Sequence, residues 1–146
     1  MSRSTRFPVA VHILAMLAAF KDQFVSSDQI AMSVATNPVV IRRVLSLLNA
    51  ADLVVTQAGA HGGAKLGVNP ADVSLLDVYN AVEDQSLFRV HEPHQQCPVA
   101  CCVKSDMEGL LGKLENNMER ELGTIKLSKV TNRATREFRN YVKESS

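Results

Sequence analysis

Thiols and imidazoles are concentrated in one short run of this chain, HEPHQQCPVACCV, which begins at His91. The run holds all three cysteines and two of the four histidines of the chain. Thiols and imidazoles at this density are typical of a zinc or iron–sulfur site, of a thiol switch, or of a helix start that happens to contain sulfur. The residues in question are His91, His94, Cys97, Cys101 and Cys102.

The spacing within this run favours a thiol switch over a metal site. C-x3-C-C is not a recognised pair of metal knuckles, so we predict no metal and no cofactor. Pro98 pushes the backbone of Cys97 to extended values, and a helix that starts at Pro98 makes Cys97 its N-cap. A thiol there faces the positive end of the helix dipole, which favours the reactive thiolate. We therefore predict redox sensing at Cys97, Cys101 and Cys102, while inert packing and metal binding remain alternatives.

Oxidation of Cys97 has two plausible partners. Cys101 is within bridging reach if the first helical turn relaxes, and a cysteine of a second subunit is the other candidate. A nucleophile pair of Cys97 with His91 or His94 lacks a legible third orienting group. We therefore do not expect an enzyme.

Length and composition fit one soluble domain with an appendage. The chain has 146 residues, of which 46% are hydrophobic and 21% charged, with a net charge of +1. The first 66 residues hold six Lys/Arg against three Asp/Glu, residues 67–100 one against five, and residues 101–146 nine against seven. This asymmetry weakly favours an anionic partner at one end.

The apolar run FPVAVHILAMLAAF near the N-terminus resembles a signal peptide but contains Pro8 and His12 and lacks a clear cleavage site. It is also too short to span a bilayer. We expect a buried helix, a cytoplasmic protein with reduced thiols and no membrane partner.

Two short helices joined by a tight turn are predicted next. Ser26 and Gln29 form a capping-box pattern, and Asn37-Pro38 is a favoured helix start. In the second helix a buried stripe is predicted at Ile41, Val44, Leu45 and Leu48, with Val39, Arg42, Arg43 and Ser46 opposite. This pattern predicts a DNA-reading helix-turn-helix.

A hairpin follows after Asp52, where LVVTQ and KLGV flank AGAHGGA, with Gly59, Gly62 and Gly63 predicted at positive φ. A β-hairpin that directly follows a helix-turn-helix in the chain is called a wing. Ser74 then caps another helix, and a helical apolar period from Val103 to Leu122 predicts a long helix that pairs with a second copy. The predicted divisions are a DNA-binding domain at 1–85, a Cys/His sensor loop at 86–102, and a dimerisation helix with the C-terminal segment at 103–146. The role of the segment from Thr124 onward stays open.

The motifs SSDQIA, NPVVIRRVLSLLNAADLV and HGGAKLGVNPADVSLLDVYNAVED, followed by a cysteine loop and a long helix, resemble the Rrf2 family of bacterial winged-helix transcription regulators. The resemblance is close from about Phe7 to Pro98. It implies a homodimer, a recognition helix in the major groove, a wing at the minor groove, and repression relieved by a signal at the loop. The C-x3-C-C spacing departs from that of cluster-binding members and resembles a branch with a lone Cys-Pro.

By position, the resemblance implies that Pro38, Val39, Arg42 and Arg43 lie on the recognition helix and that His61 and Lys65 lie on the wing. Ala58 stands where a basic residue commonly precedes the first wing glycine, which weakens minor-groove reading. Ser27 and Gln29 are equally explained by capping and by phosphate contact. The predicted DNA-binding residues are Ser27, Gln29, Asn37, Pro38, Val39, Arg42, Arg43, Ser46, His61 and Lys65.

The sequence thus predicts a mainly α-helical protein: a winged helix-turn-helix domain with a small β-hairpin wing and a long dimerisation helix. We expect a homodimeric repressor of double-stranded operator DNA whose affinity responds to oxidation or modification of Cys97. The alternative is the same repressor sensing a small molecule, a metal or a cluster at the loop.

Overall fold

The computed structural model describes residues 4–146, which form helices and one two-stranded antiparallel sheet. This arrangement confirms the predicted fold class, a mainly helical winged helix-turn-helix protein. The elements in chain order are α1 (Arg6–Ala19), α2 (Ser27–Val34), α3 (Pro38–Ala50), β1 (Val54–Gln57), β2 (Gly63–Leu66), one turn of 3-10 helix (Pro70–Asp72), α4 (Leu75–Val82), α5 (Pro98–Thr124) and α6 (Leu127–Glu144).

The predicted helix starts are confirmed. The Ser26 hydroxyl accepts a hydrogen bond from the Gln29 N–H at 3.2 Å, and the Gln29 side chain accepts one from the Ser26 N–H at 3.0 Å. The Asn37 side chain accepts from the Val39 N–H at 2.8 Å, with Pro38 as the first helical residue. These bonds satisfy backbone N–H groups that have no partner within the helix.

The turn between α2 and α3 sets the angle of the recognition helix. Ala35 ends α2 in the left-handed region at φ 60°, and its N–H donates to the Ala31 carbonyl. The axes of α2 and α3 then differ by 109°, within the range of about 90–120° found in helix-turn-helix motifs. No single helix among residues 4–146 is long and apolar enough to cross a membrane. α2 and α3 reach that length and composition only when taken together as a bent pair.

The core lies between α1, α3 and α4, beneath the sheet. The predicted stripe of α3 is confirmed, because its four apolar residues are all buried. On α1, Ile13, Leu14 and Leu17 are buried against it. Full burial of such a side chain stabilises a fold by about 1.5–3 kcal/mol, so this stripe fixes α3 firmly on the domain.

The wing is attached to the segment before α2. Val54 pairs with Leu66 and Gln57 with Gly63 across the hairpin. Beyond it, the Val25 N–H donates to the Ala64 carbonyl at 2.8 Å and the Ala64 N–H donates back at 2.9 Å. A Cβ on Gly63 would lie 2.2 Å from the Val25 carbonyl oxygen, so only glycine permits this approach.

The prediction of positive φ for the wing glycines is correct for two and wrong for the third. Gly59 has φ 103° and Gly63 has φ 146°, whereas Gly62 is not among the positive-φ residues of the described chain. Glycine is required at Gly62 for a different reason. A Cβ there would lie 2.1 Å from the Gln57 carbonyl oxygen on the facing strand.

The C-terminal segment forms α6, which packs along α1 of the same chain. Leu127 is fully buried, and the ring of Phe138 stacks on that of Phe20 with centroids 5.0 Å apart. The Leu127 N–H donates to the Val73 carbonyl at 2.8 Å, which ties the start of α6 to the residue before the α4 cap. α6 therefore completes the core of its own DNA-binding domain.

Candidate nucleic-acid interface

The face of α3 opposite the buried stripe is open. Val39, Arg42, Arg43 and Ser46 are all exposed, as the periodicity predicts. Neither arginine forms an ion pair with any carboxylate in residues 4–146. Both guanidinium groups are therefore available to an anionic partner, and a guanidinium can bind guanine O6 and N7 or a phosphate.

Three of the predicted contact residues have a structural role. The side-chain oxygens of Gln29 and Asn37 accept capping hydrogen bonds at the starts of α2 and α3, and Pro38 is the first residue of α3. Ser27, at the first position of α2, is half-buried. The start of α2 still presents the positive end of a helix, which suits a phosphate.

Two exposed apolar side chains of the helix-turn-helix are not among the predicted contact residues. Met32 on α2 is 83% exposed, and Val40 stands beside Val39 on α3 with 37% of its surface exposed. Apolar groups on a recognition helix can contact the thymine methyl group. The only signal for them in the sequence is that they interrupt the polar face of each helix, and such interruptions have many causes.

The wing carries little charge. His61 is exposed at the hairpin tip, whereas Lys65 is half-buried with its ammonium 4.9 Å from the centroid of the Phe24 ring. This cation–π contact holds the Lys65 stem against the segment that leads into α2. With Ala58 in the strand connection, the tip offers a DNA backbone one imidazole rather than a cluster of cations.

The three cysteines lie at the start of α5, as predicted. Cys97 is the N-cap of α5 with φ −94° and ψ 113°, and its side chain makes no capping hydrogen bond. Cys97 is half-buried, Cys101 and Cys102 are exposed, and all three thiols are free. The Cys101 N–H donates to the Cys97 carbonyl at 3.0 Å, so the two residues are one helical turn apart, ~6 Å along the axis.

The candidate metal ligands are not gathered into a site. Within residues 4–146, no three His, Cys, Asp or Glu side chains are close enough together to hold a metal ion. The thiol of Cys101 donates to the Gln95 carbonyl at 3.4 Å, and the ring nitrogen of His94 accepts from the Gln96 N–H. These groups make hydrogen bonds within the loop instead of converging.

The loop that precedes α5 is fastened to that helix at two points. The Glu115 carboxylate accepts from the Ser86 hydroxyl at 2.6 Å and from the Leu87 N–H at 3.0 Å. Nearer the cysteines, Lys104 pairs with Glu92 at 2.7 Å. This hydrogen bond is the main cause that lowers the pKa of Glu92 and raises that of Lys104. The loop is therefore held against the body of α5 at Lys104 and Glu115.

An apolar stripe on α5 stays exposed, since no segment within residues 4–146 covers it. No residue of this 27-residue helix is buried. The stripe repeats at steps of four, four, three and four residues, which keeps its members on one face of the helix. Its members are Val99, Val103, Met107, Leu110 and Leu114, all exposed.

The helix-turn-helix, the hairpin behind it and the open basic face of α3 define a winged helix-turn-helix DNA-binding protein. The model of the Rrf2 family, described as iron-dependent transcriptional regulators, matches residues 3–133. The chain belongs to the Rrf2 family, as its motifs predict, and is a DNA-binding transcriptional regulator.

Relatives of known sequence and structure agree with this assignment. YwnA of Bacillus subtilis strain 168, named as an HTH-type transcriptional regulator, is 44% identical over 131 residues, covering 88% of this chain and 96% of YwnA. A crystal structure described as that of a DNA-binding protein is 37% identical with a TM-score of 0.69, covering 86% of this chain and 98% of that one. CymR of B. subtilis, the global cysteine regulator, shares the fold with a TM-score of 0.65 at 20% identity, covering 90% and 97%.

Proposed function

We propose that this protein is a cytoplasmic, homodimeric transcriptional repressor that reads operator DNA with α3 and loses operator affinity when Cys97 is oxidised or modified. The observation that carries the proposal is the open face of α3. A buried stripe fixes the helix, and two arginines without carboxylate partners project from the other side. A helix held in this way fits the major groove.

The dimer is supported by the apolar stripe of α5. The stripe runs from Val99 to Leu114, about 22 Å along the helix axis at 1.5 Å per residue, and a continuous exposed apolar surface of this kind is unfavourable in water. Antiparallel or parallel pairing with a second copy would cover it by the same residues on both sides, as two-fold symmetry requires. The pairing would also fix the distance between the two recognition helices.

The thiol switch is supported by the position of Cys97 at the junction of loop and dimer helix. Oxidation of the Cys97 and Cys101 thiolates to a disulfide, with two electrons passing to an oxidant such as a peroxide, would force the first turn of α5 to relax. Because α5 sets the spacing of half-sites about 34 Å apart, a small change there misplaces both recognition helices. A hundredfold loss of operator affinity needs only about 2.8 kcal/mol.

A second candidate keeps the repressor and makes the loop a site for a metal, a cluster or a small molecule. The family description as iron-dependent regulators favours it. The dispersed ligands of the loop and its C-x3-C-C spacing argue against a preformed metal site. Native mass spectrometry of the dimer distinguishes the two, because a retained iron or ligand supports this candidate and a bare dimer supports the thiol switch.

The experiment that tests the main proposal is a fluorescence-anisotropy titration of DNA from upstream of the protein's own gene at fixed salt, with the reduced protein and after mild peroxide treatment. We expect tight reduced binding that oxidation weakens about a hundredfold, and a Cys97→Ser variant that no longer responds. Cys102→Ser is the matched control, because Cys102 is an exposed thiol beyond the N-cap, and it should respond like the wild type. Binding that is indifferent to oxidation would remove the thiol switch and leave the repressor.

A further inference from the structure

A cavity of about 460 Å³ lies between the end of α1, the middle of α6 and the segment that leaves β2. Its volume falls within the range of small-molecule sites, about 300–1,000 Å³. No cysteine lines it, and neither does any residue predicted to contact DNA. It is therefore separate from both the recognition face and the sensor loop.

The wall of the cavity combines apolar surface with an excess of positive charge. Leu17 and Leu66 contribute to its apolar part. Lys21, Arg136 and Arg139 supply three cations against one carboxylate, that of Asp22. None of these cations forms an ion pair in residues 4–146. Unpaired cations around a partly enclosed pocket of mixed polarity attract an organic anion.

A buried hydroxyl provides an independent sign of a missing partner. Thr131 lines the same cavity, is 1% exposed, and its Oγ1 is the one buried side-chain polar atom in the described residues without a hydrogen bond. Buried polar groups are nearly always hydrogen-bonded, and leaving one unsatisfied destabilises the fold. A ligand with a polar atom at this depth would satisfy it.

We infer that this cavity binds a small organic anion with an apolar body, such as an aromatic carboxylate. The anionic group pairs with Arg136 and Arg139, the body packs against Leu17 and Leu66, and a polar atom meets the Thr131 hydroxyl. The inference rests on the proposed function in one respect: the bound ligand changes operator affinity. The ligand would act on the DNA-binding elements through residues that line the cavity. Lys21 and Asp22 lie between α1 and α2, and Leu66 is the last residue of the wing strand β2.

The binding step is tested without DNA, on the full-length protein. Anilinonaphthalene sulfonate, an organic anion that fluoresces when it enters an apolar site, is titrated in and then displaced with benzoate. Replacing Arg136 and Arg139 together with alanine should weaken binding roughly tenfold or more, as expected when charge-assisted hydrogen bonds are lost. The matched control replaces Arg133 and Lys143, which lie on the same helix but outside this cavity, and should leave the affinity unchanged.

A Thr131→Val variant separates a ligand-binding role from a structural one. Valine keeps the shape and removes the unsatisfied hydroxyl, so the melting temperature should rise while binding of the probe weakens. A hydroxyl with a structural role only would leave probe affinity unchanged. Equal probe affinity in the wild type and in the Arg136/Arg139 variant would overturn the inference, because the probe would then be bound elsewhere.

The regulatory step is tested by operator titrations with and without saturating benzoate. At a benzoate concentration that just saturates the wild type, we expect the operator dissociation constant of the wild type to shift and that of Thr131→Val to shift less, because its site is only partly occupied. Failure of the ligand-free protein to bind its operator would count against the proposed function while leaving the probe result intact. Loss of ligand-free operator affinity in the Arg136/Arg139 variant, with unchanged probe binding, would reassign these cations to the DNA backbone and overturn the inference.

Discussion

The apolar faces of α3 and α5 differ in burial within the protomer. α3 buries its whole stripe in the core of its own domain, whereas no residue of the 27-residue α5 is fully buried among residues 4–146. The recognition face is therefore preformed in one protomer. The apolar stripe of α5, by contrast, stays open in the protomer.

We expect this difference to separate the stability of the protomer from the association of two copies. In the proposed DNA complex, contacts from α3 to the bases depend on how firmly the core holds α3, which is a property of the monomer. In the proposed dimer, binding two half-sites at once depends on α5, because linking two reading heads converts the second contact into an intramolecular one. Changes on the two helices should therefore affect stability and association separately.

The largest effect is expected on α5. Leu110→Glu places a charge in the middle of the stripe, where the leucine is 51% exposed in the protomer. Each copy loses the burial of the exposed half of the leucine, about 0.8–1.5 kcal/mol, and also places an unpaired carboxylate in the interface. Since a symmetric dimer suffers both effects twice, its dissociation constant should rise roughly a hundredfold or more. Sedimentation equilibrium over a range of protein concentrations measures this change.

Asn116→Glu is the control for that variant, since Asn116 is exposed on another side of the same helix. It should leave association unchanged and both variants should melt near the wild-type temperature at high concentration. Equal association constants for Leu110→Glu and the wild type would show that α5 is not the dimer interface.

On α3 the corresponding change is Leu48→Ala. Leu48 is fully buried in the core, so the free energy of unfolding should fall by about 2–5 kcal/mol. Chemical denaturation at two protein concentrations should give the same loss, because the leucine stabilises the protomer. The neighbouring Leu47, which is 37% exposed, should cost less when replaced by alanine. A larger loss for Leu47→Ala than for Leu48→Ala would reverse the assigned faces of α3.

Much of this contrast is readable in the sequence because the signals are local. The caps at Ser26 and Asn37 act over two or three residues, and the stripe of α3 follows from its period. Cys97 was placed at the start of α5 by the following proline alone. None of these predictions depends on contacts with segments that are distant in the sequence.

The rest depends on contacts between distant segments. The apolar residues of α6, such as Leu127 and Phe138, have a helical period, but the sequence does not say that they pack on α1. Gly62 is fixed by the carbonyl of Gln57 on the facing strand rather than by its own φ. The exposed Met32 and Val40 were missed because exposure depends on which neighbours cover each helix.

A smaller effect is expected on the reading face. Arg43→Ala should weaken operator binding by about 1–3 kcal/mol if the side chain reads a guanine, with the melting temperature unchanged because Arg43 is exposed. Loss confined to the operator indicates a base contact, whereas equal loss on unrelated DNA with a shallower salt dependence indicates a phosphate contact. Lys113→Ala on α5 is the charge-matched control. Unchanged operator affinity in Arg43→Ala would remove this residue from the interface.

The smallest effect concerns the turn that orients α3. Ala35 sits at φ 60°, a left-handed conformation that costs an alanine about 1–2 kcal/mol and a glycine almost nothing. Glycine gains freedom in the unfolded chain, so Ala35→Gly should raise the free energy of unfolding by only about 0.5 kcal/mol. Ala51 ends α3 at φ −92°, where the same substitution relieves no strain and should be neutral or destabilising. Matched denaturation curves would show this difference, and a gain at Ala51 equal to that at Ala35 would mean that the turn between α2 and α3 holds no strain.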